Sequence, residues 1–433
     1  MSWIKGNSTG HIDLSNDIVA AVTGDSLQSV DSIAAGGSGY AEGDFITLTG
    51  GTSSIDAEVE VTAVSGGAVT AVRITNAGVY SSAPGDPVAQ GGTTGSGTGA
   101  TFNCTFGGNG WTANDDDTWS GSEREVMLEG TGGGSDSIYV GWRTYSDVGN
   151  SRYNWELHGM TGFSPGLPIN SQPGVSPGDH EQSGSASYGC YLPLINTSMD
   201  WWLSVTPFRI ILVVEAGPGN YFPVYLGFIN RFATSTEYPY PLLVSGCSDD
   251  KDATAGQSER MSALVHPWST ISTTAGPMRL IDTAGTWLPF SNSRVSGNTL
   301  NYASATNVVT PCGRVSAVVS SSPPLSDRFC VPTFSLFFEN FIGVNSTIEQ
   351  PTGNLHPTPG TTDYYPLFPA TLMKSDADGT NASVYGEIDD CFWMSGFGSI
   401  TSEDRIIQGS DTYRVFTNCN GSLTYDHFAV KEV

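Results

Sequence analysis

Glu387, Asp389 and Asp390 stand directly before Cys391-Phe392-Trp393, and carboxylates set against aromatic rings are the groups a glycoside hydrolase uses. Sequence places no second carboxylate at working distance, and a chain with 43 acidic residues brings such neighbours together by composition alone. Asp376-Ala377-Asp378-Gly379-Thr380-Asn381 matches part of a calcium-binding loop. Lys374 stands where the first ligand belongs and Tyr385 where the bidentate glutamate belongs, so a polar hairpin turn is the expectation. Asp115-Asp116-Asp117 and Asp249-Asp250-Lys251-Asp252 have the charge to hold a hard cation, but isolated acidic loops are ordinarily solvated. The six histidines (His11, His158, His180, His266, His356 and His427) fall into no HExxH or paired spacing, and no GxSxG elbow occurs. No catalytic, cofactor-binding or metal residue is therefore assigned, and no enzyme activity or cofactor is expected.

Aromatic clusters carry a second kind of chemistry. Trp201-Trp202, Tyr238-Pro239-Tyr240 and Tyr364-Tyr365 could stack on sugar rings, although packing in a core or between subunits uses the same large apolar surfaces. With Tyr40 and Tyr80, the residues Trp201, Trp202, Tyr238 and Tyr240 form the set expected to make surface or interface contacts.

The elements that must position these residues read mostly as strands. Phe45-Ile46-Thr47-Leu48-Thr49 alternates apolar and polar side chains, and Ser137 to Tyr145 alternates Ile138, Val140 and Trp142 against Tyr139, Gly141 and Arg143. Residues 153–157, 208–215, 221–232 and 411–418 read the same way. The stretch 221–232 is apolar on both faces, which predicts burial on both faces, between sheets or between subunits. Helix signals are sparse. Residues 15–24 predict one helix with Ser15 as its cap and Gly24 as its stop, and residues 401–407 predict one or two further turns.

The stretch GGSGYAEGDFITLTGG (36–51) returns about forty residues later as NAGVYSSAPGDPVAQGG (76–92), each copy framed by glycine and centred on Tyr40 or Tyr80. Each copy leads to a further alternating strand, 57–61 or 100–104, and Gly66-Gly67 tips a hairpin between them. Residues 25–106 therefore read as a duplicated glycine-rich β module inserted into a larger scaffold. That scaffold comprises an N-terminal segment 1–24, a β domain 107–300 and a C-terminal β region 301–433, with Ser320-Ser321-Ser322-Pro323-Pro324 as a linker or exposed loop. Nine of the ten tryptophans follow residue 106, so the main core is expected there. The expected fold class is mainly β: a multi-domain β-sandwich or jelly-roll-like scaffold, a small inserted all-β domain and very little helix.

Composition restricts partners. The chain has 433 residues with 17 basic against 43 acidic, a formal net charge of −26, and its lysines are Lys5, Lys251, Lys374 and Lys431. Such a surface repels phosphate, so neither nucleic acid nor an anionic membrane is an expected partner. The longest apolar run, 208–214, is too short to span a bilayer, and MSWIKGNSTG has no apolar signal core. Seven cysteines at wide spacings form no disulfide framework and are expected as reduced core thiols.

Several stretches add a family resemblance: Ser137–Trp142, YNWELHG (153–159), YLGF (225–228) followed by EYPYPL (237–242), and GEID (386–389) with DTYRVF (411–416). Over most of residues 1–24 and 111–433 the chain resembles tailed-bacteriophage virion structural proteins, described as virion, tail or baseplate-associated. The module resembles repeats of phage tail and fibre proteins. The resemblance carries no catalytic residue. It implies a structural part of the virion, assembled in the host cytoplasm and most naturally in the tail, baseplate or a tail fibre. The implied partners are other virion proteins, further copies in a cyclic oligomer such as a trimer, and a glycan or protein of the host surface. A tailspike-like enzyme that degrades polysaccharide, or a head decoration or neck protein, is the alternative.

Overall fold

The computed structural model describes residues 1–133, 137–178, 189–231, 242–248, 251–255, 278–281, 285–289, 308–310, 313–315, 329–330, 365, 367–375, 382–395, 400–417 and 426–432. The protein is mainly β, with one α-helix, His11–Thr23, among the described residues. Among the described residues every strand pairing is antiparallel, and four sheets carry the fold beside one two-stranded ribbon. A central sheet runs in spatial order Ser2–Thr9, Ser198–Thr206, Arg209–Glu215, Tyr221–Phe228, Leu242–Ser245, Met278–Ile281 and Trp287–Pro289. A five-stranded sheet is built from Trp111–Ser120, Glu123–Gly130, Ile138–Asp147, Arg152–Met160 and Cys190–Leu194. A C-terminal sheet includes Phe368–Ser375, Ala382–Ser395, Asp426–Lys431, Asp411–Thr417 and Arg405–Gln408.

Period-two alternation decides how these sheets stack. In the central sheet Ile210, Leu212, Val214, Val224 and Leu226 join a core shared with Val126, Val140, Trp142 and Leu157 of the five-stranded sheet. The intervening Ile211, Val213, Tyr221 and Tyr225 join a second core with Leu372, Ile388, Phe416 and Phe428 of the C-terminal sheet. The central sheet is thus covered on both sides, and all eight residues of Tyr221–Phe228 are buried. The two-sided apolar reading made for 221–232 holds over residues 221–229, whose cover is the chain's own sheets; Asn230 is exposed, and residue 232 lies outside the described residues. Trp142 and Trp155 stack with ring centroids 5.0 Å apart, within the distance range of favourable aromatic pairs.

The helix starts earlier than its sequence suggests. His11 is its first residue, Gly10 takes the cap position, and Ser15 lies inside and fully buried. The Ser15 hydroxyl is used in tertiary packing instead: it accepts a 2.8 Å hydrogen bond from the Trp142 indole N–H. Thr23 ends the helix before Gly24, as expected. The second helix, over 401–407, does not form. Asp404 accepts hydrogen bonds from the Thr401 backbone N–H and hydroxyl, closing a turn that competes with helix, and Arg405–Gln408 continues as a strand.

The glycine-rich segment forms an eight-stranded sheet, in order Thr52–Ile55, Val79–Ser82, Asp25–Ser38, Thr98–Gly108, Val88–Thr93, Phe45–Thr49, Glu58–Ser65 and Ala68–Asn76. Its entry and exit are side by side, since Asp25 pairs with Gly108. Gly66 and Gly67, at φ 61° and 82°, make the hairpin tip with the positive φ at both central residues that such two-residue turns need.

Candidate functional site

One face of the five-stranded sheet carries charge where a second apolar layer would be expected. Val126, Trp142 and Leu157 point to the core, so their strand neighbours point the other way. There, Glu125, Arg143, Glu156 and Tyr191 lie opposite one another across four successive strands. All four are buried, Arg143 and Glu156 to 2% exposure. The Arg143 Nε–H donates to Glu125, and its guanidinium lies 4.6 Å over the Trp119 ring. The Tyr191 hydroxyl donates to Glu156 Oε1 at 3.3 Å.

His158 continues this face one step along the strand from Glu156. Its Nδ1 is 3.3 Å from the Ser176 carbonyl, which only accepts, so Nδ1 carries the ring proton. Nε2 is buried without a hydrogen-bond partner, 3.6 Å from Glu156 Oε2. Burial pushes the imidazole down to about 4, against the smaller opposing effect of the Ser176 carbonyl. Ser176 lies on the segment that covers this face. Its N–H donates to the Gly159 carbonyl at 2.8 Å, and its hydroxyl accepts from the Gly159 N–H at 3.1 Å. Through its bonds to His158 and Gly159, Ser176 ties the covering segment to the sheet.

A second polar group forms at the sheet's far end. The Glu123 carboxylate accepts from Ser146 and Thr144 and lies 3.1 Å from His11 Nε2. Burial would raise this carboxyl, but these three partners together hold it below the usual glutamate range.

The residues singled out in sequence fall in different places. Asp389 and Asp390 both pair with Arg209, a fully buried side chain of the central sheet, and so tie that sheet to the C-terminal one. Burial, then Asp390, raises the Asp389 carboxyl, and burial raises Glu387. Asp116 is paired with Arg124, and Asp252 with Arg152 at 3.0 Å, so one carboxylate in each acidic run neutralises an arginine. Among the described residues no group of three or more His, Cys, Asp or Glu could hold a metal ion. Residues 376–381, Asp249, Asp250, Tyr238, Tyr240 and the 320–324 stretch lie outside the described residues.

Tyr40, Tyr80, Trp201 and Trp202 were expected at a surface or interface, and the structure corrects this: they are exposed by only 4%, 1%, 0% and 1% in the chain itself. The reason is local. The Tyr80 hydroxyl accepts from the Ala57 N–H at 2.8 Å, and the Tyr40 hydroxyl accepts from the Ala100 N–H at 3.2 Å. Each tyrosine of one copy thus satisfies the strand that ends the other copy. Gly78, at φ 69°, passes so close to Ala57 that a Cβ there would lie 2.7 Å from its nitrogen. Trp201 donates its indole N–H to Ser8 at 2.8 Å, and Trp202 packs at 5.2 Å against Phe416.

The charged row was missed in sequence, although one signal was present. In YNWELHG the residues Asn154, Glu156 and His158 alternate with Trp155 and Leu157, which marks a polar face opposite an apolar one. That this face is also covered depends on residues 161–178, whose sequence has no regular period. No protein-family model matches the chain, and no curated protein matches it.

Proposed function

We propose that the protein is a structural component of a tailed-bacteriophage virion, in the tail, baseplate or a tail fibre, assembled in the host cytoplasm. The observation that carries this reading is how the large side chains are used. Trp3, Trp142, Trp155, Trp201, Trp202 and Tyr225 are all under 2% exposed and join three stacked sheets, as suits a rigid scaffold. On that scaffold an eight-stranded module enters and leaves at neighbouring residues, as suits an insertion that faces another virion protein or a host-surface glycan or protein. Copies arranged in a cyclic oligomer would strengthen weak module contacts through avidity. The test is imaging of the assembled particle with this chain labelled in the module. Density at the tail, baseplate or fibre is the expected result, and density on the head or neck would reassign the protein.

The hydrolytic alternative has one observation in its favour, the raised carboxyls of Glu387 and Asp389. Against it, Arg209 engages Asp389 as well as Asp390. Incubation with host polysaccharide separates the readings: released reducing ends, lost in Glu387→Gln, would establish hydrolysis.

A further inference from the structure

We infer that the glycine-rich module is held against the C-terminal sheet by a releasable ionic latch centred on Arg405. Five side chains alternate in sign across the contact. In the module, Arg73 Nη2 lies 2.7 Å from Glu60 Oε2. Arg405 Nη1, from the C-terminal sheet, lies 2.8 Å from the same Glu60 oxygen. Arg405 Nε is also 3.0 Å from Glu432 Oε2, and Arg414 Nε is 2.6 Å from Glu432 Oε1.

The order of charges makes this contact separable. Among these five charges, opening it breaks only the bond between Arg405 and Glu60. Glu60 keeps Arg73, the module's only basic residue, while Arg405 and Arg414 keep Glu432, which is 1% exposed. Neither side is left with a buried unpaired charge, the outcome that ordinarily makes breaking an ion pair costly. The Arg405 and Glu60 side chains are 17% and 19% exposed, so water and salt reach the bond.

Three residues further along the strand that carries Arg73, the module makes a second attachment. There the turn at Asn76 and Ala77 covers the outer edge of the first strand, Ser2–Thr9. The Ala77 N–H donates to the Trp3 carbonyl at 2.7 Å, and Asn76 exchanges hydrogen bonds with the Lys5 N–H and carbonyl at 3.3 and 2.9 Å. These hydrogen bonds carry no net charge, so salt does not weaken them directly, and their opening reports release of the ionic latch beside them. When the latch opens, the strand edge at Trp3 and Lys5 loses part of its cover, and an uncovered edge is a site for pairing with another chain.

Amide hydrogen exchange on the full chain tests the latch. In Arg405→Gln, exchange at Ala77 and Lys5 is expected to rise about two- to fivefold, the range for a partly exposed ion pair. Glu60→Gln, which leaves the Arg405–Glu432 pair intact, is expected to do the same, and Arg73→Gln to leave both amides unchanged. Raising the salt to about 0.5 M should reproduce the effect in the wild-type chain and add little in Arg405→Gln. Unchanged exchange at Ala77 and Lys5 in both latch variants overturns the inference. So does a rise of equal size at Val415 and Ala429, which would make Arg405 a support of its own sheet. These outcomes concern the purified chain and leave its place in a particle untouched.

Discussion

His158 has a ring nitrogen with no partner in a buried place, and that has a consequence for pH. Its folded value of about 4 lies below its unfolded value of 6.5, so the unfolded chain binds the extra proton first on acidification. The stability this group contributes is complete above pH 6.5 and falls as pH drops toward 4, by on the order of 3 kcal/mol. Denaturant unfolding at pH 7.5 and pH 5 should show about 2 kcal/mol of this loss, and His158→Asn should flatten that part of the profile. The buried tyrosine hydroxyls make a second prediction. Tyr80→Phe and Tyr40→Phe each leave a buried N–H, of Ala57 or Ala100, without its acceptor. Each should cost about 1–3 kcal/mol in a thermal melt while the strand content stays constant. Sequence marked both tyrosines as special through their spacing. It could not show that they face inward, because the partners that bury them come from the other copy.

Elements whose information is local were legible. Phe45–Thr49 was delimited to the residue, and the hairpin tip at Gly66-Gly67 and the helix end before Gly24 were placed correctly. The failures arose where a tertiary partner claims a residue with a strong local signal. Ser15 has the preferred chemistry of a helix cap, but the Trp142 indole uses its hydroxyl from a strand 127 positions away. Ser15→Ala should therefore leave helicity near its original value and lower stability by about 1 kcal/mol, read by circular dichroism and thermal melting on the same sample. At 401–407 the polar residues formed a side-chain turn, and Ile406 entered the C-terminal core as a strand residue. The charged row had a readable alternation but no readable cover. Periodicity reports which face a side chain is on, and says nothing of what lies above that face.

At the scale of the molecule, the stack of sheets and the module's neighbouring entry and exit predict that the module can be removed. Joining residue 24 to residue 109 by a short glycine linker should leave a folded scaffold. It should melt at lower temperature, because Leu27, Ala77 and Val79 belong to the shared core, and it should self-associate through the uncovered strand Ser2–Thr9. Size-exclusion chromatography and a thermal scan check both effects. The crossed tyrosine bonds also constrain how the module comes into being. Tyr40 finds its acceptor role only with Ala100, and Tyr80 only with Ala57, so neither copy has a complete interior by itself. A ribosome that has released the first copy has therefore released nothing able to stand alone. The nascent chain must wait for its second copy before either becomes solid.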